Sequence, residues 1–139
     1  HALAHRALVW ASRTGDLKVA RALLECGADA RQADQDGRSL LYVASSHSRL
    51  DVARLLLERG ADVGQKTKNG SSALWIASAR GHLDVAHLLL ERGADVGQAR
   101  DDGVSPLWTA SARGHLDVAR LLLERGADVG QAVDDGTSP

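Results

Sequence analysis

One stretch of the sequence carries the three side chains of a serine hydrolase. "SPLWTASARGHLDVA" contains Ser105, His115 and Asp117, and the same residue types recur 33 positions earlier. A catalytic triad needs an acid that orients the imidazole and an imidazole that reaches the serine hydroxyl. His115 and Asp117 are two residues apart at the start of a predicted helix, and side chains at that separation do not face each other. The spacing favours structural roles, and we expect no catalytic residue in this chain.

The repeated histidines also raise the question of a metal site. His82 and His115 occupy the same position in adjacent copies of the stretch. Stacked helices lie about 8–10 Å apart, whereas zinc needs its ligand nitrogens at about 2 Å. Neither cysteines nor clustered carboxylates complete a ligand set nearby. We therefore predict no metal, and expect each histidine to bond to the backbone at a turn.

Composition restricts the classes of partner. The 139 residues carry a net charge of −1, which predicts neither a nucleic-acid surface nor an anionic-membrane surface. The absence of Phe and the single Tyr argue against a cofactor pocket lined with aromatic side chains, so no cofactor is expected. The single cysteine, Cys26, excludes an internal disulfide and fits a reducing compartment. We expect an intracellular, cytoplasmic protein.

The chain is built from repeats. "ERGADVGQ" begins at Glu58, Glu91 and Glu124, each 33 residues after the last, and a weaker copy begins at Glu25. The chain also starts at His1 and has no Met, so we expect a module of a longer protein. The predicted units are a divergent first unit 1–36, three close copies 37–69, 70–102 and 103–135, and the start of a further unit at 136–139.

Each unit is predicted to form two short helices and a turn. Ser105 can cap a helix that starts at Pro106, and Gly114 can end that helix. A second helix with an apolar stripe is predicted from about Leu116 until Gly126. The following Gly- and Asp-rich stretch is typical of a turn or hairpin tip. One such unit cannot bury its apolar faces alone, so the units should stack into a solenoid.

These motifs resemble the ankyrin repeat family. The matching residues of the fourth unit are Asp101-Asp102-Gly103, Ser105-Pro106-Leu107-Trp108, Gly114-His115, Asp117-Val118, Leu121-Leu122-Leu123 and Gly126-Ala127-Asp128-Val129. The resemblance implies an all-α, ankyrin-type α-solenoid of stacked helix-turn-helix units with short β-hairpin or turn tips. It also implies a protein–protein interaction module rather than an enzyme.

The sequence departs from the family pattern at two places that affect how units join. The family's histidine, which braces neighbouring units by hydrogen bonds, is replaced by Tyr42, Trp75 and Trp108. We expect aromatic packing to take over that bracing. In the second unit Ser48-Arg49 replaces Gly-His, which puts the geometry of its inter-helix turn in question.

Partner-binding positions can be transferred from the family motif, because binding in such arrays uses the tips and the exposed side of the first helices. The charges there include a partly basic row that contains Thr14, His47, Arg80 and Arg113. We expect a protein partner with an acidic segment, and solvating charges remain the equal alternative. The predicted partner-binding residues are Arg38, His47, Lys66, Lys68, Ser71, Arg80, Asp101, Asp102, Val104 and Arg113.

Other functions stay open beside this one. Close identity between units also suits an engineered or consensus-like repeat scaffold, and a hydrolase is the third alternative. Leu121, Leu122 and Leu123 of the fourth unit are identical to the internal copies, although a terminal unit normally has a polar outer face. End-to-end self-association of the chain is therefore expected if no further unit covers that face.

Overall fold

The structure is a computed structural model that describes residues 2–130. Within this range the chain forms eight α-helices joined by turns and short loops. The helices are α1 (Ala2–Thr14), α2 (Leu17–Glu25), α3 (Leu40–Ser46), α4 (Leu50–Glu58), α5 (Ala73–Arg80), α6 (Leu83–Glu91), α7 (Pro106–Ala112) and α8 (Leu116–Glu124). Consecutive helices form four helix pairs, which we number one to four along the chain.

Serine hydroxyls start the first helix of three pairs. The side-chain oxygens of Ser39, Ser72 and Ser105 each accept the backbone N–H three residues ahead, at 3.0 Å. This bond satisfies one of the free N–H groups at a helix start. All three serines are buried, so the cap also removes a polar group from contact with water. The capping role predicted for Ser105 is confirmed.

The helices form two layers that share one core. α1, α3, α5 and α7 pack side by side in chain order, and α2, α4, α6 and α8 form the second layer. Leucines from both layers meet between them, including Leu41, Leu74, Leu56 and Leu89 at no more than 1% exposure. Because each pair leaves an apolar face that only the next pair covers, the helices must stack. The predicted all-α solenoid is confirmed.

Short tips project before α3, α5 and α7; we define them as residues 32–39, 65–72 and 98–105. Isolated antiparallel bridges join Ala33 to Ser39 and Lys66 to Ser72. Neighbouring tips are also linked by backbone bonds of 2.9 Å, from Lys68 N–H to the Asp36 carbonyl and from Asp101 N–H to the Asn69 carbonyl. The tips therefore form a backbone ladder along the array.

The turn between α3 and α4 keeps its shape without glycine. Ser48 has a φ of 60°, in the left-handed region where the other turns of this register use Gly15, Gly81 and Gly114. Serine in this region carries a strain that glycine avoids. The substitution of Gly-His by Ser48-Arg49 therefore leaves the turn conformation unchanged.

Several features of the sequence lie outside the described residues. These are the last residues of the predicted unit 103–135, the start of a further unit at 136–139 and the acidic pair Asp134-Asp135. Between residues 2 and 130, none of the helices has the length and apolar character needed to cross a bilayer.

Candidate functional site

The serine and histidine of the opening stretch are each committed to the backbone. Ser105 is 2% exposed, and its oxygen accepts the N–H of Trp108. The imidazole of His115 instead bonds through Nε2 to the carbonyl of Ala79, in the preceding helix pair, at 3.0 Å. The two side chains therefore serve separate structural bonds, and this geometry supports no proton transfer between them.

Three turn side chains tie each helix pair to the one before it. His82 Nε2 donates to the Ser46 carbonyl at 3.0 Å, as His115 does to Ala79. A carbonyl can only accept, so Nε2 must carry the proton in both rings. Arg49 takes the same role in the second pair, donating from Nε to the Arg13 carbonyl at 2.8 Å. The expected backbone bond of these histidines is confirmed, and it lies between pairs.

Burial sets the charge state of the turn at His82. Desolvation, the largest effect, lowers the pKa of His82 below its usual 6.5, although the bond to Ser46 acts in the opposite direction. The positive charge of Arg80 also lowers this pKa. His82 is therefore a neutral hydrogen-bond donor at pH 7, which suits a structural role.

Aromatic residues replace the bracing histidine of the family pattern. Trp75 is 4% exposed, and its indole Nε1 donates to the Val104 carbonyl in the next tip at 2.9 Å. The Arg100 guanidinium carbon lies 4.3 Å from the centroid of the Trp75 ring, a cation–π distance. In the preceding pair, Ser71 Oγ donates to the Tyr42 hydroxyl at 3.4 Å. Aromatic residues thus supply both packing and a hydrogen bond between pairs.

The fourth tip holds its acidic side chain in a local ion pair. Arg100 donates from both Nε and Nη2 to the Asp102 carboxylate, with a shortest N–O distance of 2.6 Å. Hydrogen bonding to this guanidinium lowers the pKa of Asp102 below its usual value. Asp102 is half-exposed but already paired, whereas its neighbour Asp101 has an exposed carboxylate. Only part of the tip's negative charge remains available.

The inner helices and tips of the first three pairs enclose a groove with a volume of about 780 Å³. We call it the basic groove. Its lining includes the apolar side chains of Val9, Val43 and Ile76 from α1, α3 and α5, and Tyr42 beside them. An apolar lining surrounded by polar groups is typical of a binding surface. The cations that line it are Arg13, Arg38, His47, Lys68 and Arg80, all exposed.

The charge of the basic groove is only partly balanced. Asp36 forms an ion pair with Arg38 at 3.3 Å, and Asp34 accepts the backbone N–H groups of Asp36 and Arg38 at 2.9 Å. By contrast, within residues 3–130 no salt bridge joins Arg13, Lys68 or Arg80 to a carboxylate. Arg80 donates instead to the Ser46 carbonyl at 3.4 Å. Three cations therefore face the groove with their charge unpaired.

The structure gathers only some of the sequence-predicted partner residues. Arg38, His47, Lys68 and Arg80 line the basic groove together. The remaining predicted positions are not among its lining residues: Lys66, Asp101, Asp102 and Arg113 are exposed, Val104 is half-buried and Ser71 is buried.

Ser71 corrects the sequence prediction. It is 2% exposed, its hydroxyl is directed at Tyr42, and its N–H donates to Thr67 Oγ1. A side chain so enclosed has no surface to offer a partner, so we leave Ser71 out of the binding surface. The position was taken from the tip motif, and burial by the preceding pair was not visible in it.

The sequence prediction also missed groove residues. Arg13 lies one position before the predicted basic row, and Val9, Tyr42 and Ile76 were considered only as packing residues. The signal that was available is register: Val43 and Ile76 recur 33 residues apart on the first helices, and Trp10 precedes them by the same step. Such a step places equivalent side chains side by side on stacked helices.

Comparison with known proteins agrees with this architecture. A family model described as ankyrin repeats in three copies matches residues 2–67 and 61–132. A search of curated proteins found no match. Ankyrin repeats are generally non-catalytic protein–protein interaction modules built as helical solenoids. Because the match spans nearly the whole chain, this protein belongs to the ankyrin repeat family.

Proposed function

We propose that this chain recognises a protein partner through the basic groove, and that the contacting segment of the partner is acidic. The observation that supports this most directly is the unpaired charge of Arg13, Lys68 and Arg80 around an apolar lining. Carboxylates of a partner would find cations there that have no internal competitor. The apolar lining would accept a side chain between those charged contacts, where burial adds affinity.

The surroundings of the basic groove favour an acidic partner segment at its centre. Arg113 continues the row of His47 and Arg80 beyond the groove, on the fourth pair. Asp101 adds exposed negative charge at the fourth tip, so an acidic segment would be repelled there. We therefore place the main contact on the first three pairs, with Arg113 and Lys66 as peripheral contacts.

Charge reversal in the basic groove tests the proposal. Changing Lys68→Glu together with Arg80→Glu should weaken partner binding on the order of 100-fold, because two attractive contacts become repulsive. The control is Arg92→Glu with Arg120→Glu, two exposed residues that do not line the groove. Immobilised wild-type and variant chains would be compared for the proteins that they retain from a cell extract.

Two outcomes separate the alternatives. Loss of the same proteins from the groove variant, with retention by the control, supports recognition through the basic groove. Equal retention by both double variants would show that these cations only solvate the surface. Circular dichroism melting of each variant establishes that loss of binding does not reflect unfolding.

End-to-end self-association is the second candidate function. Leu116, Leu123 and Val129 are exposed on the fourth pair by 64%, 43% and 72%, whereas Leu83, the internal equivalent of Leu116, is exposed by 38%. An exposed apolar face of this kind favours association. The mass from light scattering should then rise with protein concentration, and a single-chain mass throughout would contradict it.

A further inference from the structure

The indole N–H of Trp108 has no hydrogen-bond acceptor. Nε1 of Trp108 is buried, and no partner lies within bonding distance in the described structure. Trp75 occupies the same position in the preceding helix pair, and its N–H donates to the Val104 carbonyl. Buried N–H groups in native proteins nearly always find an acceptor. Trp108 therefore marks a place where an acceptor is required.

Register identifies the acceptor. The contacts between Tyr42 and Ser71 and between Trp75 and Val104 both span 29 residues. The same step from Trp108 leads to Thr137. The sequence around it, "DDGTSP" at 134–139, differs from the fourth-tip sequence "DDGVSP" at 101–106 only where Thr137 replaces Val104.

The backbone ladder of the tips points to the same segment independently. Lys68 N–H bonds to the Asp36 carbonyl and Asp101 N–H bonds to the Asn69 carbonyl, each across 32 residues. Asp102 holds the next position after Asp36 and Asn69 in this register. The corresponding donor to its carbonyl is the N–H of Asp134.

We propose that residues 134–139 dock against the fourth helix pair as a further tip. In this arrangement Trp108 Nε1 donates to the Thr137 carbonyl, and Asp134 N–H donates to the Asp102 carbonyl. The docked segment seals the indole N–H of Trp108 and extends the ladder of tips by one step. It also adds Asp134 and Asp135 to the acidic end of the array, away from the basic groove.

A second copy of the chain fits this site less well. Stepping back by 33 from Val104 reaches Ser71, Arg38 and then His5, so His5 is the equivalent residue in the first pair. His5 lies inside α1, where backbone carbonyls accept N–H groups of their own helix. A head-to-tail copy would therefore present a helix where Trp108 requires the free carbonyl of a tip.

Hydrogen exchange of the tryptophan indoles tests the docking. The chain has three tryptophans, and their indole N–H signals can be assigned by NMR with Trp10→Phe and Trp75→Phe variants. Gly37, Gly70 and Gly103 adopt φ values of 79°, 84° and 86°, so Gly136→Val should block the same turn in residues 134–139. We expect this variant to speed exchange of the Trp108 N–H about tenfold, as for loss of one hydrogen bond.

The control variant is Thr137→Val, which keeps the backbone carbonyl and introduces the residue found at Val104. It should leave Trp108 exchange unchanged, and Trp75 exchange should be the same in all three proteins. Equal Trp108 exchange in the wild type and in Gly136→Val would overturn the proposal. Protection of Trp108 that rises with protein concentration would also overturn it, since a second copy would then be the occupant.

Discussion

Replacing Leu89 by alanine is expected to lower the free energy of unfolding by about 2–5 kcal/mol. Leu89 is fully buried in α6, within the continuous core of the two layers. Alanine would leave a cavity that flanking helix pairs can only partly close, because both are fixed by their own neighbours. Chemical denaturation followed by circular dichroism measures the loss, and the melting temperature should fall by roughly 10 °C.

The matched control is Leu123→Ala in α8. Leu123 belongs to the same Leu-Leu-Leu sequence in the next copy, but it is 43% exposed on the terminal pair. Its removal should cost less than about 1 kcal/mol. Equal destabilisation by the two variants would mean that the fourth pair is covered in solution, either by self-association or by a further segment.

Replacing Gly81 by alanine should destabilise the array more than the same change at Gly114. Both glycines have a left-handed φ, of 74° and 77°, so alanine carries a strain of about 1–2 kcal/mol at either position. Only at Gly81 would the new Cβ approach a neighbour, lying 2.5 Å from His115 Nδ1. His115 would have to leave its bond to Ala79, and the total cost should reach about 3 kcal/mol.

A double-mutant cycle separates the contact from the backbone strain. In a His115→Ala background, Gly81→Ala should cost no more than Gly114→Ala does in the wild type. Thermal or chemical unfolding of the four proteins gives the coupling energy directly. A coupling near zero would contradict the tight packing of this turn against the His115 ring.

Several features of the fold follow from short stretches of sequence. Ser105 could be assigned as a helix cap because the bond it makes lies within three residues. Gly114 could be assigned to a turn for a similarly local reason, since its position requires a left-handed backbone. The 33-residue repeat then required stacking, because each unit presents an apolar face that it cannot bury alone.

Other features depended on contacts between helix pairs. The sequence predicted that His82 bonds to the backbone, but only packing showed that the acceptor is Ser46. The replacement of that histidine by Arg49 in the second pair also became intelligible only when its bond to Arg13 was seen. These acceptors lie 36 residues away in sequence, and local spacing does not encode which carbonyl a stacked neighbour presents.

The binding surface divides in the same way. The sequence by itself determined the family, the order of helices and tips, and the exposed charges at Lys68 and Arg80. The tertiary structure decided that Arg13 joins them, that Val9 and Ile76 line the groove between them, and that Ser71 is enclosed. The physical reason is that repeat register fixes which residues are equivalent, whereas burial and charge pairing depend on what the adjacent helix pair places against each one.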